Sequence, residues 1–166
     1  MRQIRILSKV GKIFFSVVLT GMTLWACDQD RIYENNFSIG AGGWRYTDRA
    51  RFEVVINDTV SLCNIYINAR NNGSYKYMEL WLFVDVFSPL GTVERDTVQF
   101  MLADYRGKWL GRGLGDKFDT RMIFRRKVRF PATGKYVFEY EQATRDESLK
   151  GIEDIGLRIE KAAMGK

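Results

Sequence analysis

Hydrophobic and polar residues alternate one by one through most of the chain after residue 44. The clearest segment runs from Leu62 to Arg70, where Cys63, Ile65, Ile67 and Ala69 are each followed by a polar or aromatic residue. A period of two is that of a β-strand with one face buried. Six further segments have the same pattern: Arg51 to Val60, Met78 to Ser88, Thr92 to Leu102, Arg121 to Phe130, Lys135 to Gln142 and Asp154 to Glu160. Turn-forming residues separate them. The pattern therefore predicts an all-β fold, an antiparallel β-sandwich of about seven to eight strands over residues 45–166.

The first 26 residues have a different pattern, first basic and then continuously apolar. Arg2, Arg5, Lys9 and Lys12 precede an uncharged stretch of 14 residues that ends at Ala26. A membrane-spanning helix needs about 20 apolar residues, whereas a basic start, a short apolar region and a small final residue are typical of a secretory signal peptide. We therefore expect residues 1–26 to be a signal peptide that is cleaved on export.

The residues at the predicted cleavage site, Leu24-Trp25-Ala26-Cys27, resemble a bacterial lipobox. In that motif the cysteine receives diacylglycerol and becomes the first residue after cleavage. Cys27 is thus the predicted site of lipid attachment, and a membrane is the predicted partner of the mature N-terminus. We expect the polar stretch 27–44 that follows to be a tether with at most a short strand at its end. The alternative is an ordinary signal peptide cut elsewhere, with Cys27 incidental.

Removal of the leader changes the charge of the chain. The full sequence has 26 Lys and Arg residues against 20 Asp and Glu residues, a net charge of +6. Four of the basic residues and none of the acidic ones lie in residues 1–26, so the mature chain has 22 against 20 and a net charge of about +2. The excess charge belongs mainly to the export signal, and we do not expect nucleic acid as a partner.

The absence of histidine narrows the possible chemistry. With no histidine in the sequence, His-based triads, histidine general bases and most zinc sites are excluded. Two cysteines cannot form a four-thiolate metal site, and no pair of carboxylates shares a face with an activated nucleophile. We expect no enzymatic activity, no catalytic residue, no metal or other cofactor and no small-molecule substrate. Cys63 alternates with Ile65 and Ile67, which predicts a buried thiol rather than a reactive one.

A dense basic run lies in the fifth predicted strand, at Arg121, Arg125, Arg126, Lys127 and Arg129. We expect this strand to form a hairpin with Lys135 to Gln142 around residues 131–134, which places Glu139 opposite Arg125 or Lys127. Arg126 must then turn away from an otherwise apolar face. The run is interpreted as a solvated sheet face that its neighbour partly neutralises, not as a phosphate-binding surface.

The segment between the fourth and fifth predicted strands, residues 102–119, is rich in glycine. Gly107-Lys108 is followed by Trp109 rather than by Ser or Thr, so the pattern is not typical of a nucleotide-binding loop. Two readings remain for Trp109 and Leu110: they close one end of the sandwich within a long crossing loop, or they dock a partner. A third possibility is a Ca²⁺ site formed by convergence of three carboxylates, those of Asp104, Asp116 and Asp119, although their spacing is not that of an EF-hand.

Trp81, Phe83 and Phe87 form a second candidate surface on one face of the third predicted strand. The opposite face, which starts at Met78, is also apolar. The strand is therefore either covered on both sides, by a loop or by the tether, or it displays an aromatic patch. An exposed patch around Trp81 and Phe83 suits a protein partner or stacked sugar rings.

Three features together resemble the gliding motility lipoprotein GldH family. They are the lipobox at Cys27, the segment Leu102-Ala103-Asp104 with Gly107 to Gly111 and Gly113 to Asp116, and the ending Gly151 to Glu160. The resemblance covers nearly the whole mature chain. It implies a lipid-anchored, envelope-facing β-domain that is linked to the gliding apparatus and its accompanying protein secretion system. We expect the anchor to be in the outer membrane. It implies no enzymatic residues, and Cys27 is the only residue of this chain to which the resemblance assigns a role.

Two functions of different classes follow from these observations. The first is a non-catalytic accessory lipoprotein that docks an envelope protein complex through the loop around Trp109 or the patch around Trp81. The second is a surface or periplasmic carbohydrate-binding module of the β-sandwich type.

Overall fold

The computed structural model describes residues 28–163, and eleven β-strands account for most of this range. In chain order they are β1 (Arg31–Ser38), β2 (Trp44–Arg45), β3 (Ala50–Ile56), β4 (Cys63–Asn72), β5 (Glu79–Phe87), β6 (Val93–Met101), β7 (Arg112–Leu114), β8 (Lys117–Val128), β9 (Gly134–Gln142), β10 (Ser148–Leu149) and β11 (Ile152–Lys161). Each of the seven segments with period-two alternation forms one of the long strands. Within the described range no helix is long and apolar enough to cross a membrane.

The strands form two main sheets that pack face to face. One has five strands in the order β1-β11-β4-β8-β7, and the other has four in the order β3-β9-β5-β6. The short strands β2 and β10 pair with each other. Every pairing is antiparallel. The predicted fold class, an all-β antiparallel sandwich, is confirmed.

The core lies between the two sheets and follows the alternation of the sequence. Cys63, Ile65, Ile67 and Ala69 of β4 are all buried. They belong to one hydrophobic cluster with inward residues of the facing sheet, for example Leu82 of β5. Burial of such apolar side chains stabilises the fold by about 1.5–3 kcal/mol for each large aliphatic residue.

The stretch that we predicted to be a tether contains the first long strand. β1 runs antiparallel to β11 from Arg31 to Ser38, so the sandwich begins at Arg31 and not at residue 45. The strand was missed because only Tyr33 and Phe37 pack against the core, and both are only partly buried. β1 lies at an edge of the five-stranded sheet and pairs with β11 only.

The hairpin predicted between residues 121–130 and 135–142 is wrong. β8 and β9 lie in different sheets, β8 beside β4 and β9 between β3 and β5. The connection between them crosses from one sheet to the other, and Phe130 within it is buried in the core. Glu139 consequently pairs with β3, where it accepts a hydrogen bond from Arg51, and not with β8.

Arg125 of β8 is neutralised by the opposite sheet. Its guanidinium donates to Glu94 at 2.8 Å and to Asp96 at 2.6 Å, both on β6, which forms an edge of the four-stranded sheet. An irregularity in the pairing of β8 with β4 accompanies this arrangement, and Lys127 adopts a left-handed backbone conformation with φ of 49°. Arg126 and Lys127 are therefore exposed, and the expected escape of Arg126 from the apolar face takes place at this bulge.

The sandwich has two ends, which we call proximal and distal. The proximal end holds the start of β1 and the end of β11, where the Lys161 N–H donates to the Asp30 carbonyl at 2.8 Å. It also holds the connections 57–62, 88–92 and 129–133, of which the first and last meet where Arg129 donates to the Val60 carbonyl at 3.0 Å. The distal end holds the connections 73–78, 102–111 and 143–147.

Candidate functional site

Trp109 fixes the distal connection 102–111 to the sandwich. Its indole lies between two other rings, with centroid distances of 6.3 Å to Tyr75 and 5.7 Å to Phe118. It packs, partly buried, against the core. The neighbouring Leu110 side chain is 55% exposed. The connection therefore closes the distal end with Trp109 and presents Leu110 to solvent.

The glycines of this segment have two structural roles. Gly107 and Gly115 have φ of 77° and 70°, a conformation that turns require and that glycine adopts without strain. At Gly111 and Gly113 a Cβ would come within 2.6 Å of a side chain of β8, so only glycine fits beside that strand. Turn geometry and close packing thus account for the glycine-rich pattern.

The three aspartates considered as a Ca²⁺ site have separate roles. Asp104 accepts the backbone N–H groups of Arg106 and Lys108 at 2.8 and 3.0 Å and closes its own turn. Asp119 pairs with Arg70 at 2.7 Å, and Asp116 is exposed. Within residues 28–163 no group of three or more carboxylates or cysteines is placed to hold a metal ion.

Trp81 lies in an open groove at the distal end of the four-stranded sheet. The groove has a volume of about 660 Å³ and is lined by Tyr77, Met78, Glu79, Trp81, Ala143, Thr144 and Arg145. Tyr77, Met78 and Trp81 are 37%, 44% and 38% exposed. The Trp81 indole N–H donates to Glu79 at 3.0 Å, which fixes the ring. Met78 was expected to face inward, but β5 begins only at Glu79, and Met78 belongs to the groove instead.

Phe83, two residues further along β5, is covered. The guanidinium of Arg95 lies over its ring, 4.8 Å from the centroid. Arg95 also donates to Asp85 at 3.1 Å, and Arg49 approaches the same carboxylate at 3.3 Å. The outer face of β5 is therefore open and aromatic at Trp81 but covered at Phe83 and ion-paired at Asp85.

The two candidate surfaces meet at the distal end through Tyr75. This tyrosine is buried, and its ring contacts Trp109 on one side and Tyr77 on the other, the latter with a centroid distance of 5.9 Å. Burial raises the pKa of Tyr75 far above its usual value, so the ring stays neutral. We call the exposed apolar residues of this end the distal surface: Tyr77, Met78 and Trp81 at the groove of the four-stranded sheet, and Leu110, which lines a groove on the outer face of the five-stranded sheet. Of these, Trp81 and Leu110 were predicted from the sequence, whereas Tyr77, Met78 and the groove residue Arg145 were missed.

A second groove, of about 710 Å³, crosses the outer face of the five-stranded sheet and is lined mostly by charged and amide side chains. Most of its charges are already paired. Arg70 contacts Asp119 at 2.7 Å and Asp154 at 3.2 Å, and Arg121 contacts Glu34 at 3.3 Å. The groove therefore presents a largely self-neutralised surface.

Cys27 lies outside the described residues, but the residue that follows it is held in place. The Asp28 carboxylate pairs with Arg158, which also donates to Glu34 at 2.7 Å and to Glu160 at 2.8 Å. Arg158 is only 5% exposed. Burial lowers the pKa of Arg158, but the three carboxylates outweigh burial and hold the pKa above its usual value. The hydrogen bond from Arg158 in turn lowers the pKa of Asp28. The chain is thus bound to the sheet from residue 28 onward.

The Cys63 thiol is free and buried in the core, as its position in the alternating pattern predicted. Burial raises the pKa of Cys63 above its usual 9.0. A thiol that is both inaccessible and protonated is a poor nucleophile, so Cys63 acts as a small hydrophobic residue.

The chain is similar to a described protein family. A family model with the description GldH lipoprotein matches residues 31–159, from the start of β1 to within β11. A protein of Christiangramia forsetii named gliding motility lipoprotein GldH homolog is 32% identical over 155 residues, which cover 89% of this chain and 94% of the relative. The gliding motility lipoprotein GldH of Flavobacterium johnsoniae is 29% identical over 151 residues, which cover 87% of this chain and 93% of that protein.

The chain also has a weak likeness to a solved structure, that of infectious bursal disease virus of the Gx strain. It is 10% identical, with a TM-score of 0.18, over 81% of this chain and 38% of that chain. Because the TM-score is so low, we draw no conclusion about fold or function from this likeness.

Proposed function

This chain belongs to the GldH lipoprotein family, and from that premise we propose that it is a non-catalytic accessory component of gliding motility and of the associated protein secretion machinery. In this proposal it is a lipid-anchored protein of the cell envelope that works by docking other envelope proteins. The family match spans the sandwich from residue 31 to residue 159, and two relatives have gliding motility in their names.

The proposed anchor is Cys27, lipidated after cleavage of residues 1–26, and the proposed location is the outer membrane. Several acyl chains attached to one residue are sufficient for stable anchoring, since each buried CH₂ contributes about 0.8 kcal/mol. We expect the native protein to incorporate radioactive palmitate and to fractionate with membranes. A Cys27→Ser variant that still does both would overturn this assignment.

The observation that carries the docking proposal is the distal surface. Its aromatic and sulfur-containing side chains are exposed around a groove, and Tyr, Trp and Met are the residues enriched at protein interfaces. The end of the sandwich that bears them is the one opposite to the start of β1, so the proposed docking residues lie away from the proposed anchor. The charged outer groove supports docking less well, because its charges are already paired with each other.

Photo-crosslinking in the native envelope tests the docking proposal. A photoreactive residue at Met78 or Leu110 should crosslink to envelope proteins that mass spectrometry identifies, and Trp81→Ala should reduce capture at Met78 at least tenfold. A photoreactive residue at Val55, 63% exposed on an edge strand of the four-stranded sheet near its proximal end, is the matched control. Equal capture of the same proteins from Val55, Met78 and Leu110 would overturn the choice of surface.

A carbohydrate-binding role is the second candidate, and the exposed indole of Trp81 in a groove with polar residues at its sides favours it. Sugar rings stack on such indoles, and neighbouring polar groups bind the hydroxyls. Binding of the mature protein to a glycan array, lost in Trp81→Ala but kept in Leu110→Ala, would favour this role. The absence of glycan binding together with protein crosslinks from Met78 would exclude it.

A further inference from the structure

The path of the chain places the predicted lipid attachment close to the proximal end. Asp28, one residue after Cys27, is held by Arg158, and consecutive Cα atoms lie about 3.8 Å apart. Asp30 is bonded to Lys161 at the end of β11. No flexible tether therefore separates the first described residue from the sheet, and a bilayer anchored at Cys27 would lie within a few residues of this end.

The proximal end carries unpaired basic residues. Arg126, Lys127 and Arg129 are exposed, and within residues 28–163 no carboxylate lies within 4.0 Å of any of them. The backbone of Lys127 is in the left-handed conformation, with φ of 49°, which is uncommon for a residue with a side chain. Asp30 is an exposed acidic residue of this end, whereas Asp28 and Glu160 pair with Arg158 and Glu94 pairs with Arg125. Asp58 is engaged in its own turn.

Exposed apolar residues stand beside this basic cluster. Val60, in the connection between β3 and β4, is 77% exposed, and Leu90, in the turn between β5 and β6, is 65% exposed. Both connections belong to the proximal end, since Val60 is bonded to Arg129 and the neighbouring Pro89 contacts Gly134 at the start of β9. Basic residues together with exposed apolar residues match a lipid interface, where cations meet phosphates and apolar tips enter the acyl boundary.

We propose that the proximal end of the sandwich rests on the anionic surface of the membrane that anchors the chain. Arg126, Lys127 and Arg129 bind lipid phosphates, and Val60 and Leu90 enter the interface. This proposal rests on the proposed lipid attachment at Cys27. It adds a fixed orientation, in which the domain lies against the bilayer and the distal surface faces away from it.

The test uses the processed, lipidated chain in vesicles of phosphatidylcholine and phosphatidylglycerol that contain a lipid with a nitroxide on its headgroup. Because Cys63 is buried, one added cysteine gives a single site for a fluorophore. Val60→Cys reports on the proximal end, and Leu114→Cys, at a residue 92% exposed beside the distal end, is the control position. We expect strong quenching at position 60 and little at position 114.

Charge variants test the contribution of the basic residues. Each basic residue near an anionic surface contributes about fivefold to the binding constant. The triple change R126Q/K127Q/R129Q should therefore lower the ratio of docked to undocked protein about a hundredfold. We expect this change to abolish quenching at position 60. The matched triple R106Q/K108Q/R112Q, which removes the same charge from the distal end, should leave quenching unchanged.

The outcomes separate this proposal from the proposed anchor. If the chain does not co-float with the vesicles, the proposed lipid attachment at Cys27 is wrong, and the proposed orientation on the membrane is wrong as well. If the chain floats but positions 60 and 114 are quenched equally, or if the R126Q/K127Q/R129Q variant is quenched like the unchanged protein, the anchor stands and the orientation is overturned.

Discussion

Replacement of Arg158 by methionine tests whether one buried guanidinium ties the N-terminal segment to the sheet. Methionine has a similar length and can occupy the same space, but it has no charge and no hydrogen-bond donor. The change leaves three carboxylates, those of Asp28, Glu34 and Glu160, without their common partner. Because they surround one site, they also repel each other.

The loss of stability in Arg158→Met depends on how deeply the charged residues are buried. Removing one partner of a fully buried ion pair costs about 3–5 kcal/mol. The side chains of Glu34 and Glu160 remain 24% and 21% exposed, so water replaces part of the lost interaction. We expect the free energy of unfolding to fall by about 3 kcal/mol. For a domain of this size, that loss lowers Tm by about 10 °C.

Thermal unfolding at several pH values separates the charge from the packing. Burial raises the pKa of Glu34, but the hydrogen bond and charge of Arg158, together with Arg31 and Arg121, outweigh burial and bring the pKa below its usual 4.5. The stabilisation by this carboxylate is therefore present above pH 4.5 and is lost as the pH falls through the lowered pKa. The difference in Tm between the unchanged protein and Arg158→Met should be largest near pH 7 and shrink below pH 4. A difference under 3 °C, or one that does not depend on pH, would refute the ion-pair explanation.

Three further changes make separate predictions. The hydrogen bonds from Ser61 and from neighbouring backbone N–H groups lower the pKa of Asp58 to about 2, so the stabilisation by this carboxylate is complete above pH 4 and lost towards pH 2. Asp58→Asn should therefore lower Tm at pH 7 and flatten the pH dependence of Tm between pH 4 and pH 2. An unchanged slope of Tm against pH would contradict this. Trp109→Ala should lower the free energy of unfolding in urea by about 2 kcal/mol because the indole is half-buried against the core. Leu110→Ala should change that free energy by less than about 0.5 kcal/mol. Equal losses of stability in the two variants would contradict the different packing of the two residues. Within the described residues the buried hydroxyl of Tyr140 has no hydrogen-bond partner, so Tyr140→Phe should raise stability by about 1 kcal/mol in the same assay, and a loss would reveal a partner for that hydroxyl.

The long strands of the core could be predicted because their two faces differ in polarity. β4 is the best example, since Cys63, Ile65 and Ile67 are buried while the residues between them are not. The alternation reports which face of a strand is buried, and that depends only on the residues of the strand itself. β1 lacked this signal because only Tyr33 and Phe37 of its eight residues pack against the core, and both are partly buried.

Strand partners could not be predicted in the same way, because pairing depends on residues distant in sequence. Consecutive strands are neighbours only about two-thirds of the time, and the segment from β8 to β9 is one of the exceptions. The bulge near Lys127 and the burial of Phe130 direct the chain into the opposite sheet. The ion pairs of Arg125 and Glu139 changed with it. Of the basic run, Arg121 and Arg125 have acidic partners, whereas among the described residues Arg126, Lys127 and Arg129 have none, so the expected neutralisation holds for only part of the run.

The candidate surface was predicted in part for a similar reason. Trp81 and Leu110 could be named from their own sequence neighbourhoods, as an aromatic residue on an outer face and an apolar residue in a glycine-rich loop. Tyr77 and Arg145 could not, because they are distant in sequence and only the pairing of β5 with β9 brings them to one groove. Met78 was expected to face inward because the strand was predicted to start at Met78, whereas β5 starts at Glu79 and Met78 is exposed.

The ion pairs between Arg125 and β6 have a consequence for self-association. β6 is a nine-residue edge strand, and the free N–H and C=O groups of such an edge can pair with a second copy of the protein. Lipid anchoring would confine many copies to one plane and raise their local concentration, which favours that pairing. Glu94 and Asp96 oppose it, because they project from β6 towards Arg125 and a strand added at this edge would lie against those charges. The two carboxylates that join the sheets thus also act against aggregation, and replacing Glu94 and Asp96 with uncharged residues should favour oligomers as well as lower stability.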